Sequence, residues 1–84
     1  MVLDVTRYYV VNVVEERTNR IGKRNTVHRE MIDYDETSFI TEREAIEYLE
    51  QKGYKPVTQR KATLELNEFA GWTIVDGYEF LRYL

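Results

Sequence analysis

Hydrophobic and polar positions along this chain change their period, and the changes mark its elements. Over residues 5–15 both alternating sets are apolar, with Tyr9, Val11 and Val13 on one and Tyr8, Val10 and Val14 on the other. A β-branched and aromatic run that is apolar on both faces predicts a strand in the middle of a sheet, or one with a helix on one side and a partner on the other. Residues 16–25 are polar and contain Asn19 and Gly22, which tolerate positive φ, so they read as a turn or loop. Residues 26–34 read as a second strand pairing back in a hairpin. Val27 and Met31 fall out of phase there with Ile32 and Tyr34, and a bulge near Glu30 or Met31 would reconcile them. Residues 33–38 are acidic and polar and read as the lead into the next element.

Between Phe39 and Tyr54 the period becomes helical. Ala45, Ile46 and Leu49 share one face with Tyr48 at its margin, while Arg43, Glu47, Glu50 and Gln51 lie opposite. The stripe is narrow and predicts one buried and one wet side. Thr41 followed by Glu44 is a capping box, and Ile40 is placed to lean on Ala45 as a staple. Glu42 and Glu44 in the first turn and Lys52 in the last suit the helix dipole. Gly53 supplies the left-handed C′ residue and Pro56 forbids resumption. About three turns would not persist alone in water, so the helix requires a sheet to pack on.

Beyond Pro56 the alternation returns. Residues 57–66 predict a third strand with Ala62, Leu64 and Leu66 facing one way. Asn67 to Gly71 then reads as a bend, and residues 72–75 as a fourth strand. Asp76-Gly77 is a type I′ hairpin signal, which makes residues 78–84 a fifth strand, with a short C-terminal helix as the alternative. The expected architecture is α+β: a small antiparallel sheet of four to five strands with one helix packed on one face, in the order β-β-α-β-β-β, forming a single domain over residues 1–84. Val11, Val13, Ile46, Leu49, Leu64, Trp72 and Ile74 are expected to share one core.

Composition narrows the class. A hydrophobic fraction of 43% in 84 residues is compatible with a folded core. There is no cysteine, which excludes disulfides and Cys-based zinc sites. The start of the chain has no signal-peptide pattern, and its longest apolar run, residues 8–11, is far too short to span a bilayer. The expectation is a soluble cytoplasmic protein without a membrane partner. Net charge is −3, distributed in blocks: +2 over residues 1–30, −6 over 31–50, +4 over 51–64 and −3 over 65–84. These blocks read as solvated faces of a small domain or, in the sharper reading, as opposed patches that steer partners.

Catalytic chemistry finds little to work with. Ser38 and His28 are the sole serine and histidine. They fall on different elements, and no nucleophile-elbow pattern surrounds Ser38. Ser38 reads as a hydrogen-bonding residue near the helix entry and His28 as a strand-face residue. There is no glycine-rich phosphate loop. Asp33, Asp35, Thr37, Thr41 and Glu44 fall on positions 1, 3, 5, 9 and 12 of a calcium loop. Position 6, however, is Ser38 where glycine is needed, and the entering element reads as a strand. A non-enzyme without cofactor or metal is expected.

Two binding classes remain. The acidic block and the high tyrosine content suit a protein-interaction module, such as an inhibitor or accessory protein that occupies a partner protein's surface. Asp35, Glu36, Arg43, Glu47, Glu50 and Tyr48 are its candidate contacts, and self-association through an edge strand is one form of it. In general style the chain looks like compact accessory proteins of phages and mobile elements. The alternative is nucleic-acid binding through the basic loop Arg17, Arg20, Lys23 and Arg24 with Arg29, and stacking on Tyr8. A second basic cluster is Lys52, Lys55, Arg60 and Lys61. A pI near 5.2 argues against that alternative.

Overall fold

The computed structural model describes residues 3–18 and 25–84. Their elements run β1 (Tyr8–Thr18), β2 (Val27–Phe39), α1 (Glu42–Gln51), β3 (Thr58–Ala62), β4 (Leu66–Asp76) and α2 (Gly77–Tyr83). The strands form one antiparallel sheet in the order β2-β1-β4-β3. The fold is thus a small α+β sheet as expected, but with two helices among the described residues and a different C-terminal half.

β1 lies inside the sheet because both its faces are apolar. Tyr9, Val11 and Val13 are buried on one face with Val75 and Phe80, and Val10 on the other with Ala45 and Leu49. These are two clusters separated by the sheet, not the single core expected. α1 covers the second face and α2 the first, where the Phe80 ring stacks on Tyr9 at 4.5 Å. Of the expected core residues, Leu64 is 94% exposed and Ile46 41% exposed.

β2 extends through residues 33–38, which were expected as a connection. Its pairing with β1 is irregular twice, and Ile32 is the extra residue between the pairs Asn12↔Asp33 and Val13↔Met31. That is the anticipated bulge, placed beside Met31. The second irregularity falls between Tyr9↔Ser38 and Val11↔Tyr34. It re-aims the strand so that Phe39 meets Tyr48 of α1, with ring centroids 4.9 Å apart.

α1 forms where its local chemistry predicts. The Thr41 hydroxyl accepts from the Glu44 N–H at 3.2 Å. At the other end the Gly53 N–H reaches the Glu50 carbonyl and the Tyr54 N–H the Leu49 carbonyl. Those two bonds make a Schellman motif around Gly53, whose φ of +71° favours glycine. The staple is not seated, since Ile40 is 68% exposed.

The C-terminal half corrects the sequence reading. β3 ends at Ala62, and residues 63–65 turn the chain, closed by bonds between Thr63 and Leu66. The expected bend at Asn67 to Gly71 instead lies inside β4, which pairs with β1 from Leu66 to Asp76. Gly71 permits the close packing there. Its φ is +146°, and a side chain would meet the Pro56 carbonyl oxygen at 2.5 Å. Asp76-Gly77 is not a hairpin turn. The Asp76 carboxylate accepts from the Glu79 N–H at 2.8 Å and caps α2, so the expected fifth strand over residues 78–84 is a helix. The same Asp can cap a helix or open a turn, and burial of Phe80 against Tyr9 selects the helix.

No helix among the described residues is long and apolar enough to cross a membrane.

Candidate functional site

α1 lies across one face of the sheet with its outer side in solvent. Glu42, Ile46 and Glu50 are spaced four residues apart and form one row along the helix. This row faces the outer edge of β4 across a groove of about 350 Å³. Ile46 and Leu49 form one wall, Trp72 and Ile74 the other, and Pro56 closes one end. Glu42 and Glu50 stand on the rim.

The backbone at this groove is unusual within the sheet. β3 covers the outer edge of β4 only from Asn67 to Ala70. Beyond that, Pro56 makes an isolated bridge to Trp72, whose N–H donates to the Lys55 carbonyl at 2.8 Å. Backbone groups alternate in direction along a strand. The N–H and C=O of Ile74 therefore point to the same side as the Trp72 N–H, away from β1. Among the described residues no strand lies alongside them there.

The sequence-derived protein-binding candidates divide in this setting. Glu36, Arg43, Glu47 and Glu50 are exposed, and Arg43 pairs with Glu47 at 3.5 Å. Asp35 and Tyr48 are brought together for another purpose. Asp35 accepts from the Tyr48 hydroxyl at 3.0 Å and from the Tyr54 hydroxyl at 2.7 Å. Partial burial of Asp35 works against its ionisation, but bonds from Tyr54, Thr37 and Tyr48 more than offset this and hold its carboxyl below the usual range. The same carboxylate pushes the Tyr54 phenol up to about 12. Tyr54 also stacks on Trp72 at 4.0 Å. Asp35 and Tyr48 thus fasten β2 to the helix and its exit.

The nucleic-acid candidates also divide. Arg20, Lys23 and Arg24 lie outside the described residues. Arg17 and Arg29 both hold Glu15, at 2.6 and 3.0 Å. Arg29 reaches on to Glu79, which accepts from the Tyr83 hydroxyl. Burial opposes the Glu15 charge, but the two guanidinium groups more than compensate and keep its pKa below the ordinary value. Arg17 further lies over the Phe69 ring at 4.5 Å. Tyr8 packs in the cluster beneath α1. Of the second basic cluster, Lys55 and Arg60 line a pocket of about 380 Å³ beside Trp72 and Tyr54.

His28 is an exposed strand residue opposite Glu16. Ser38 accepts from the Arg7 guanidinium at 2.7 Å, which ties the start of β1 to the end of β2. Asp33 and Asp35 lie on extended backbone in β2 while Glu44 is in α1, and no group of three metal-capable side chains forms among the described residues.

Sequence reasoning missed the groove. Ile46 was assigned to the core from its place on the apolar stripe, and Ile74 and Pro56 have no chemical signature. The only local hint is an isoleucine flanked four residues away on both sides by glutamate. Comparisons with protein-family models, with curated proteins and with solved structures find no match to this chain.

Proposed function

We propose that this chain is a non-catalytic protein-interaction module, an inhibitor or accessory protein that occupies a partner protein's surface in the cytoplasm. The observation that carries this reading is the row Glu42, Ile46 and Glu50 on α1. It places a 41%-exposed isoleucine among carboxylates, over a groove with apolar walls. Interfaces of this composition combine an apolar centre with a charged rim that guides encounter. Glu47 and Glu50 are both exposed, and the ion pair with Arg43 that reversal of Glu47 removes is itself exposed and contributes little to the fold.

The test is capture of partners by the immobilised chain with and without nuclease, followed by identification of bound proteins. A discrete nuclease-resistant partner, lost when Glu47 and Glu50 are both reversed to lysine, is the expected result. Capture that survives this reversal but fails on nuclease treatment would overturn it.

One observation favours nucleic-acid binding as the second reading. Lys55 and Arg60 share a pocket with Trp72 and Tyr54, which places cations beside aromatic faces. The nuclease arm of the same experiment separates the two.

A further inference from the structure

We infer that the outer edge of β4 at Thr73 to Asp76 binds an extended peptide segment in which an apolar residue has a basic residue two positions away on either side, which adds a strand to the sheet beneath α1. The inference rests on the interaction-module reading and names the chemistry of its partner. Two independent features carry it. The first is backbone geometry. The Ile74 N–H and C=O face away from β1 with no strand beside them among the described residues, while β3 and Pro56 occupy the same edge up to Trp72. An exposed edge of this kind accepts a strand through main-chain bonds, and pockets for alternate side chains supply the selectivity.

The second feature is charge. Every other side chain of an added strand beside Ile74 would point into the groove between Ile46, Leu49 and Ile74, which asks for an apolar residue. The groove is lined by two carboxylates, Glu42 and Glu50, and by no basic side chain. The peptide residues two positions before and after the apolar one point to this same face and would therefore favour lysine or arginine. A second copy of this chain fits less well, because its own copy of β4 would bring Asp76 toward the same carboxylates. The two edge strands discourage strand addition: β2 is broken by two irregularities and by charged residues, and β3 is five residues long, irregular between Gln59 and Lys61, and carries Arg60 and Lys61.

The probe is a synthetic peptide with a central valine, lysine two residues before and two residues after it and threonine elsewhere, about nine residues long and roughly 30 Å when extended. Binding to the intact chain is followed by isothermal titration, with backbone amide NMR shifts reporting the site. Saturable binding that moves the amides of Ile74 and Val75 is expected. Replacing lysine by glutamate in the peptide, or reversing Glu42 and Glu50 to lysine in the protein, should weaken it at least about tenfold. Methylating alternate backbone nitrogens of the peptide should abolish binding in one phase and spare it in the other, since only one phase faces β4. Ile74→Pro should remove the outward donor; an intact amide spectrum outside β4 confirms that this variant folds.

Equal tolerance of both methylation phases would overturn strand addition. Shifts confined to β2 or β3, or concentration-dependent self-association lost in Ile74→Pro, would overturn the assignment of edge or occupant. A peptide that fails while Glu47 and Glu50 still govern capture of a natural partner would sink this inference alone. Absence of any nuclease-resistant partner would sink the broader reading.

Discussion

The Tyr54 hydroxyl donates to the Asp35 carboxylate at 2.7 Å, joining the exit of α1 to the irregular half of β2. This bond sets the alkaline behaviour of the chain. The folded state holds Tyr54 protonated up to about 12 against an ordinary value of 10.0. A raised pKa stabilises the fold below the ordinary value, and that contribution is lost as pH rises from 10 to about 12. In Asp35→Asn, ultraviolet titration should find the Tyr54 transition moved down toward 10.0. An unmoved transition would show that Asp35 does not govern it.

Acid should act through the same carboxylate and through Glu15. Both have folded pKa values below their ordinary 3.8 and 4.5. Their contributions are complete above those ordinary values and fall away as pH drops through the lower folded ones. Unfolding midpoints should therefore decline below about pH 4.5, and Glu15→Gln should flatten the decline. Because Glu15 is 4% exposed and held by two arginines, that substitution should also cost about 1–3 kcal/mol at neutral pH.

Gly71→Ala should be among the most damaging small changes. A Cβ there meets the Pro56 backbone at 2.5 Å while φ stays at +146°. Backbone strain of this kind costs of order 1–3 kcal/mol before the collision is counted. Chemical denaturation should show a loss above about 2 kcal/mol, and a variant of wild-type stability would mean that Pro56 does not approach β4.

Burial separates three residues of similar hydrophobicity. Leu49→Ala should cost about 2–5 kcal/mol, since Leu49 is 9% exposed on the sheet-facing side of α1. Leu64→Ser should be neutral within about 0.5 kcal/mol, because Leu64 is 94% exposed. Ile46→Ala should fall between them in stability. Equal losses at Leu49 and Leu64 would restore the single-core picture.

Both helix caps should show the cost of one lost bond. Thr41→Ala and Asp76→Ala each remove an acceptor for an N–H three residues on, and each should cost about 1 kcal/mol. Circular dichroism would report the second as a partial loss of helix, whereas a hairpin at Asp76-Gly77 would lose none.

The sequence by itself determined α1 and the central place of β1. The signals for α1 are local: Thr41 and Glu44 at one end, Gly53 and Pro56 at the other, with caps that act within a few residues. β1 announces its position because apolar residues on both faces must both be covered. It also placed the bulge, because Val27 and Met31 could not share a phase with Ile32 and Tyr34. The exposed acids of α1 followed from its wheel. Tertiary structure alone decided the rest. Asn67, Glu68 and Gly71 resemble a bend, and only pairing along the whole of β1 holds them extended. Asp76-Gly77 fits two local geometries, and contact between Phe80 and Tyr9 on one face of the sheet chooses the helix. Asp35 looked like a free surface acid until two tyrosines from distant positions met it. The groove exists because β3 ends its pairing at Ala70 and leaves Ile74 and Ile46 uncovered, a relation between segments far apart in the chain that no local period encodes.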